Sequence, residues 1–416
     1  MCKNIKRRIS IAVKTTILAR QPIFNAEQKT YAYELLYRGL MEVGDDAMTA
    51  TVLSNTLNSF GMDAVTNGHF IFVNISKSFL LSEFPKILPA GKTILEIKED
   101  VSADQDVIAA MKYWKSKGLR IALDNFTSVN AQHEQLLAYA DIIKINTLSY
   151  EGELAELVQT LRIHPVKILA EKVETLEQFE TCQQLGFDYF QGYFFCKPLL
   201  MVNQQSFQSN NAQLLQLLSH ILAAESPKEL EYEIAHNLAL SYKLLRYINS
   251  ASVGLRQPIS SIGHALALIG LDNLRVWVSM LLMSSLSQGK PDALILLSFC
   301  RGRFLEQLAS KHGNKQESND YFILGMFSLL DALLNQSVNE VIDTISLPEL
   351  VRNGLLNASS EAGIRLNLIQ TLEHGDWTQL DHILPSVALD DEQITAIYSE
   401  AIQWSDEKNA LINSML

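Results

Sequence analysis

The chain has 416 residues, enough for two or three domains that each bury a core of their own. Hydrophobic residues make up 48% of it and charged residues 19%, which excludes a disordered or collagen-like chain. The formal charge of −12 argues against a protein that coats nucleic acid, because such proteins need a basic face. No run of about 18 apolar residues occurs. We therefore expect a cytoplasmic protein with no membrane span and no nucleic-acid partner.

After a basic leader at residues 1–15, short β-rich runs alternate with helical patterns as far as residue 200. The helical patterns include 105–118 and 175–186, and the second ends in Gly186, a residue suited to closing a helix. This alternation is typical of βα units with a parallel sheet, and about eight strands suit a modified TIM-like (βα)8 barrel. The β-rich runs are 15–23, 31–39, 70–76, 93–98, 120–126, 141–146, 166–173 and 188–195.

From residue 201 to residue 416 the pattern is almost purely helical, which predicts a separate all-α domain or a pair of subdomains. The stretch 205–213 is polar, and we expect it to form a loop. The most apolar stretch runs from Val276 to Cys300 and is broken by polar residues near its middle, which predicts two buried helices. The fold class is therefore α/β followed by all-α.

Polar residues end the predicted strands of the first half, and such strand ends converge on one mouth in a βα barrel. Several carboxylates beside one amide suit Mg²⁺ or Mn²⁺, and a nearby lysine could orient a water or meet a phosphate. This layout is that of metal-assisted phosphodiester hydrolysis. Taken singly, each acidic residue could equally be a helix cap or a turn residue. The residues are Glu34, Asn74, Glu96, Asp124, Lys144, Glu171 and Gln191.

Residues 16–200 resemble the EAL-domain cyclic di-GMP phosphodiesterases. RQPIF (20–24) resembles the opening strand of that family, and Glu34-Leu35-Leu36 stands where its Glu-Ala-Leu motif is expected. The resemblance implies a first metal held by Glu34, Asn74, Glu96 and Asp124. It also implies substrate contacts from Leu36, Arg38 and Gln191, a catalytic lysine at Lys144 and a general base at Glu171.

Four departures from that family lie beside these residues. Asn125 replaces the second aspartate of Asp-Asp-Phe-Gly, so the second metal position loses a carboxylate. Asn146 replaces an aspartate, Lys172 replaces a glycine, and the loop after Phe126 is replaced by 127–135. A two-metal hydrolysis needs both cations in place. The sequence therefore predicts a degenerate phosphodiesterase domain with absent or very slow turnover.

Residues 232–278 resemble the HDOD domain, a helical output module, with KLLRYINSA (243–251) as the most specific part. The segments 321–334 and EHGDW (373–377) resemble the extension found when an HDOD domain follows an EAL domain. None of the nine histidines is followed by Asp, which favours a binding module over a metal-dependent HD hydrolase. The stretch 254–257 is a candidate partner surface or, equally, an ordinary interhelical turn.

Three functions remain open at this point. The leading hypothesis is a signal-transduction protein whose barrel binds cyclic di-GMP or a metal without turnover and regulates an HDOD module that binds another signalling protein. The second is an active phosphodiesterase that converts cyclic di-GMP to pGpG. The third is a pure protein-binding scaffold. A homodimer is compatible with each of them.

Overall fold

The computed structural model describes residues 17–38, 68–98, 101–128, 131–150, 153–192, 194, 205–250, 258–288, 290–313, 317–387 and 389–414. Eight strands form a closed barrel in chain order, which confirms the predicted barrel. Within the described residues, all regular structure after the barrel is helical, as the sequence predicts. The strands are β1 (Ile17–Asn25), β2 (Thr30–Arg38), β3 (Phe70–Ile75), β4 (Thr93–Lys98), β5 (Arg120–Asp124), β6 (Ile142–Asn146), β7 (Lys167–Glu171) and β8 (Tyr189–Phe190).

Helices lie in the connections between the barrel strands, and further helices follow the last strand. Those of the barrel are α1 (Lys77–Leu81), α2 (Gln105–Ser116), α3 (Ala131–Leu137), α4 (Leu154–Leu161) and α5 (Leu176–Leu185), with a 3₁₀ turn at Phe84–Ile87. Those that follow are α6 (Gln205–Ala223), α7 (Pro227–Ala235), α8 (Leu238–Ile248), α9 (Ile262–Ile269), α10 (Leu271–Leu286), α11 (Asp292–Lys311), α12 (Ser318–Phe327), α13 (Leu330–Leu334), α14 (Val338–Thr344), α15 (Glu349–Leu356), α16 (Glu361–His374), α17 (Trp377–Val387) and α18 (Asp391–Asn413). None of the described helices combines the length and apolar character that a membrane crossing requires.

The barrel departs from the predicted all-parallel sheet at β1. This strand runs antiparallel to both β2 and β8, whereas the pairs from β2 to β8 are parallel. The reason is local: Asn25 to Lys29 form a tight turn, closed by hydrogen bonds between Asn25 and Lys29, that returns the chain beside itself. A short turn can join only antiparallel neighbours.

The helical pattern predicted at 175–186 is confirmed as α5. Thr175 and Gln178 form a capping box at the start of α5, and Gly186 closes that helix with φ 87°, a left-handed conformation that glycine adopts without strain. The stretch from Val276 to Cys300 divides between α10 and α11, as predicted.

Two loop predictions are wrong. The polar stretch 205–213 belongs to α6, because it contains no glycine or proline and runs directly into the amphipathic repeat that follows it. The replaced loop 127–135 contains the start of α3 at Ala131. The candidate partner surface at 254–257 lies outside the described residues.

The helical half is organised around a close crossing of α11 and α12. Gly325 lies so near the backbone of α11 that an added Cβ would stand 2.3 Å from the Arg301 carbonyl oxygen. Beside this crossing the Arg301 guanidinium donates to both carboxylate oxygens of Glu373, and both side chains are buried. The crossing therefore fixes α11, α12 and α16 together.

Gly325→Ala should lower the free energy of unfolding by about 1–3 kcal/mol or more, because the methyl group overlaps backbone that has no room to move. Gly263→Ala is the matched control: it is also a helical glycine, but its added methyl meets the flexible end of Glu231. Denaturant unfolding measures both variants. Equal midpoints would show that α11 and α12 are not in close contact.

Candidate functional site

The site is formed by side chains that alternate between the two faces of each strand. An apolar layer fills the barrel interior with Ala32, Phe72, Ile94, Ala122, Ile142 and Leu169, all buried. Successive side chains on a strand alternate between faces, so the residue two positions further on each strand points into the same interior, one layer nearer the mouth. Those positions hold Glu34, Asn74, Glu96, Asp124, Lys144 and Glu171. Gln191 follows β8 and stands in the same relation to Tyr189. The structure thus brings these seven predicted residues to one place.

Lys144 lies at the centre of the layer that these seven polar residues form, and its side chain is fully buried. Its Nζ is 2.7 Å from a Glu96 oxygen and 2.9 Å from oxygens of Glu34 and Glu171. Asp124 is further away at 3.9 Å. One ammonium group therefore faces four carboxylates, and the formal charges leave an excess of three negative charges in a buried place.

The amides of the layer fix the orientation of Glu34. Asn74 donates from Nδ2 to Glu34 Oε1 at 2.9 Å. Gln191 donates from Nε2 to Glu34 Oε2 at 2.9 Å and also to Gln21 Oε1 at 2.9 Å. Gln21 was not predicted from the sequence, although a polar residue inside the apolar run 15–23 is a signal that could have found it.

Burial and mutual charge shift the proton affinities of these groups in different directions. Burial opposes the ionised form of Glu34, but the Lys144 ammonium and the hydrogen bonds hold its pKa below the ordinary value. Burial and the neighbouring Glu34 raise the pKa of Glu96 well above its ordinary value. Burial likewise raises the pKa of Glu171 to about 7. Although burial disfavours its charge, the four carboxylates raise the pKa of Lys144 well above its ordinary value.

The layer has the donor chemistry that a divalent cation needs. Carboxylate oxygens of Glu34, Glu96 and Glu171 lie within 4.8 Å of one another. Among the described residues, no hydrogen-bond donor reaches the buried oxygens Glu96 Oε2 and Gln191 Oε1. Hard cations prefer such oxygen ligands, and the uncompensated negative charge favours them further. Glu171 belongs to this group of three, and the metal set that the resemblance implies stays a prediction.

The departures from the family pattern lie around the outer edge of the mouth. Asn125 and Lys172 directly follow Asp124 and Glu171, have φ values of 50° and 54°, and expose their side chains. Asn146 accepts from the backbone N–H groups of Leu148 and Ser149, both at 3.2 Å, so its side chain carbonyl closes its own turn.

Leu36 and Arg38, the substrate contacts that the resemblance implies on β2, stay predictions. Leu36 packs against the core of the helical half. Arg38 ends β2, and its side chain lies outside the described residues.

Comparison with known proteins agrees with the two halves. The EAL domain model matches residues 45–198, and the HDOD domain model matches residues 212–345. The chain is 33% identical to the uncharacterized protein YuxH of Bacillus subtilis over 93% of this chain and 97% of that protein. It is 32% identical to the cyclic di-GMP phosphodiesterase CdgJ of Vibrio cholerae over 96% of this chain and 94% of that protein. The chain belongs to the EAL–HDOD family.

Solved structures of EAL proteins resemble the EAL half at lower identity. The Bacillus subtilis YkuI protein, in complex with c-di-GMP and calcium, is 20% identical with a TM-score of 0.38, covering 61% of this chain and 71% of that chain. The PaMucR phosphodiesterase–c-di-GMP complex is 21% identical with a TM-score of 0.37, covering 43% of this chain and 95% of that chain. Likenesses of this size carry no argument about ligand or activity.

The raised pKa of Glu171 gives a pH dependence to the stability of the metal-free protein. The folded state holds a proton on Glu171 that the unfolded state releases near its ordinary pKa of 4.5, so stability is present in full below that pH and falls as the pH rises through about 7. In Glu171→Gln the free energy of unfolding should fall less as the pH rises, by up to about 3 kcal/mol. Unfolding at pH 5 and pH 8 in chelator measures the difference.

Glu177→Gln, at an exposed position in the first turn of α5, is the control and should keep the pH slope of the unchanged protein. If Glu171→Gln also kept that slope, Glu171 would not be the group whose proton stabilises the fold.

Proposed function

We propose that this protein binds cyclic di-GMP together with Mg²⁺ or Mn²⁺ at the mouth of its EAL barrel, with absent or very slow turnover, and that it transmits this state to its HDOD half. The observation that carries the proposal is the buried layer in which Glu34, Glu96, Asp124 and Glu171 surround Lys144. Support for the nucleotide comes from the Vibrio relative, which is named a cyclic di-GMP phosphodiesterase and matches almost the whole chain.

In this proposal the oxygens of Glu34, Asn74, Glu96 and Asp124 hold the cation, with Glu171 beside them. When bound, the cation would supply charge neutralisation at a phosphate and lower the pKa of a water. The chain's own residues do the rest. Gln191 and Asn74 hold Glu34 in one orientation, and Lys144 offsets part of the negative charge before any ligand arrives.

In this proposal, residues at the outer edge of the mouth are the reason that turnover is absent or very slow. Asn125 offers a neutral amide where the family's second metal has a carboxylate, and hydrolysis by two metals needs both. Lys172 adds an exposed cation next to Glu171. The side-chain oxygen of Asn146 accepts hydrogen bonds from the backbone of its own turn.

One observation favours the second candidate, an active phosphodiesterase that produces pGpG. Burial brings the pKa of Glu171 to about 7, and a general base works best when its pKa lies near the working pH. Glu171 also contacts Lys144, which could orient a water or a phosphate.

The remaining parts of the proposal concern the whole chain. We divide it into a leader at 1–15, the barrel at 16–200 and the helical half at 201–416, and we place it in the cytoplasm. The helical half would bind another signalling protein, because no histidine in the sequence is followed by the aspartate that an HD hydrolase requires.

Calorimetric titration of cyclic di-GMP in Mn²⁺ tests the proposal. A saturating heat supports binding without turnover, and Glu34→Gln should weaken it because the isosteric amide removes one charge from the cluster. A sustained heat that scales with protein and disappears in Glu34→Gln supports the phosphodiesterase. No heat at two temperatures would refute both and leave the scaffold.

Restoring the family residues with Asn125→Asp and Lys172→Gly should raise hydrolysis of cyclic di-GMP by about ten-fold or more, which corresponds to about 1.4 kcal/mol of barrier. Chromatographic detection of pGpG measures the rate.

Gln28→Gly is the matched control, because Gln28 has φ 60° on the opposite side of the barrel and its replacement relieves the same backbone strain. Both glycine variants should gain stability, and only Lys172→Gly should affect turnover. No gain from the paired substitutions would show that the altered segment 127–135, or the mouth as a whole, also prevents hydrolysis.

A further inference from the structure

The open end of the β1–β2 hairpin, where β1 begins and β2 ends, extends beyond the rest of the barrel. β2 pairs with β3 only from Ala32 to Leu35, and β1 pairs with β8 only at Phe24 and Asn25. Within the described residues, Ile17–Ala19 and Leu36–Arg38 therefore pair only with each other. We call these six residues the ribbon. An isolated two-stranded ribbon is marginally stable in water, so packing on its surface must hold it.

Helices from the C-terminal part of the chain supply this packing. Ala19 is fully buried in the core of the helical half, and Leu36 packs against the same core. Gly375, which closes α16 with φ 66°, lies directly against Leu36: an added Cβ would stand 2.9 Å from Leu36 Cδ1. Glycine adopts this backbone conformation without strain, and a methyl group added here would press on the end of the Leu36 side chain.

A buried ion pair fixes the ribbon's base to α18. The Arg20 guanidinium lies 3.0 Å from Asp406 Oδ1, with 8% and 11% of the two side chains exposed. The same guanidinium stacks 4.3 Å from the centre of the Tyr33 ring on β2. Removing one partner of such a pair leaves a buried charge without compensation. The pair therefore fixes where α18 lies along β1 and β2.

These contacts lie within two positions of residues that face the site. Gln21 follows Arg20 on β1 and accepts from Gln191, which also donates to Glu34. Glu34 precedes Leu36 by two positions, so both side chains point to the same face of β2. A shift of the ribbon against the barrel would therefore act within two residues of Glu34, which Asn74, Lys144 and Gln191 all contact.

We propose that α16 and α18 are a positioning element of the site: through Gly375–Leu36 and Asp406–Arg20 they hold the ribbon, and with it Glu34 and Gln21, in the arrangement that binds a ligand. The identity of that ligand rests on the proposed function, whereas the positioning does not. Because coupling between two sites is reciprocal, a ligand at the mouth strengthens the docking of these helices by the same factor by which docking strengthens binding.

Gly375→Ala and Gly313→Ala form the decisive pair of variants. Both glycines follow helices and have positive φ values, 66° and 85°, so both alanines incur the same kind of backbone strain. Of the atoms that the structure describes, none lies within 4 Å of a Cβ added at Gly313, whereas at Gly375 the methyl presses on the end of the Leu36 side chain. A difference between the variants therefore reports the contact with the ribbon.

Two measurements on the full chain read out the effect. Hydrogen exchange in the peptide 17–38 should be about ten-fold faster in Gly375→Ala than in Gly313→Ala, because the ribbon loses its packing. Calorimetric titration of Mn²⁺, alone and with cyclic di-GMP, should show affinity at least about five-fold weaker in Gly375→Ala.

A second substitution tests the mechanism. In the Leu36→Ala background the clash is gone, so adding Gly375→Ala should change exchange and Mn²⁺ affinity no more than Gly313→Ala does. If Gly375→Ala does not fold, Asp406→Asn replaces it: this variant keeps an acceptor for Arg20 but loses the charge, and should shift both readouts in the same direction.

Equal exchange and equal affinity in Gly375→Ala and Gly313→Ala would overturn the proposal. Faster exchange with unchanged Mn²⁺ affinity would overturn it as well, because the ribbon would then not position Glu34. If the unchanged protein binds neither Mn²⁺ nor cyclic di-GMP, the proposed function fails, and the exchange comparison still decides whether the helices hold the ribbon.

Discussion

The contact of the Lys144 ammonium with four carboxylates is the interaction on which the mouth of the barrel depends. Four carboxylates cannot all remain ionised in a buried place without opposite charge. One ammonium offsets one of them, and the raised pKa values of Glu96 and Glu171 show that protons must offset part of the remainder. The site is therefore built with an excess of negative charge, which is a poor arrangement for stability and a good one for holding a cation.

This arrangement follows from regular strand geometry. Seven strands each contribute one polar residue to the same level, because each polar residue stands two positions beyond an interior residue of the barrel, in most cases a small or aliphatic one. The alternation explains why Lys144 lies between two buried isoleucines: Ile143 and Ile145 point outward to the surrounding helices, while the lysine points inward. Placing the chemistry on a rigid barrel leaves little freedom for the carboxylates to move apart, so their mutual repulsion is retained.

The sequence predicted most of this layer, because the signals that carry it are local. Apolar runs of five or six residues locate the strands, and the polar residue at the same point of each run locates the site. What it could not predict involves residues far apart in the chain. Nothing near Arg20 indicates that its partner is Asp406, and nothing near Leu36 indicates that Gly375 covers it. The antiparallel direction of β1 depends on a five-residue turn that local hydrophobicity does not report, and the helix at 205–213 depends on the segment that follows it.

The segment EHGDW joins the two halves, and three of its residues each have a separate part in this. Glu373 is held by Arg301 inside the helical core, Gly375 lies against Leu36 of the ribbon, and Asp376 caps the start of α17. Among the described residues β1 and β8 share only two residue pairs, and a barrel closed in this way benefits from such a support at its mouth. The helical half is thus part of the structure that forms the site, and this gives a physical reason for the two domains to occur in one chain.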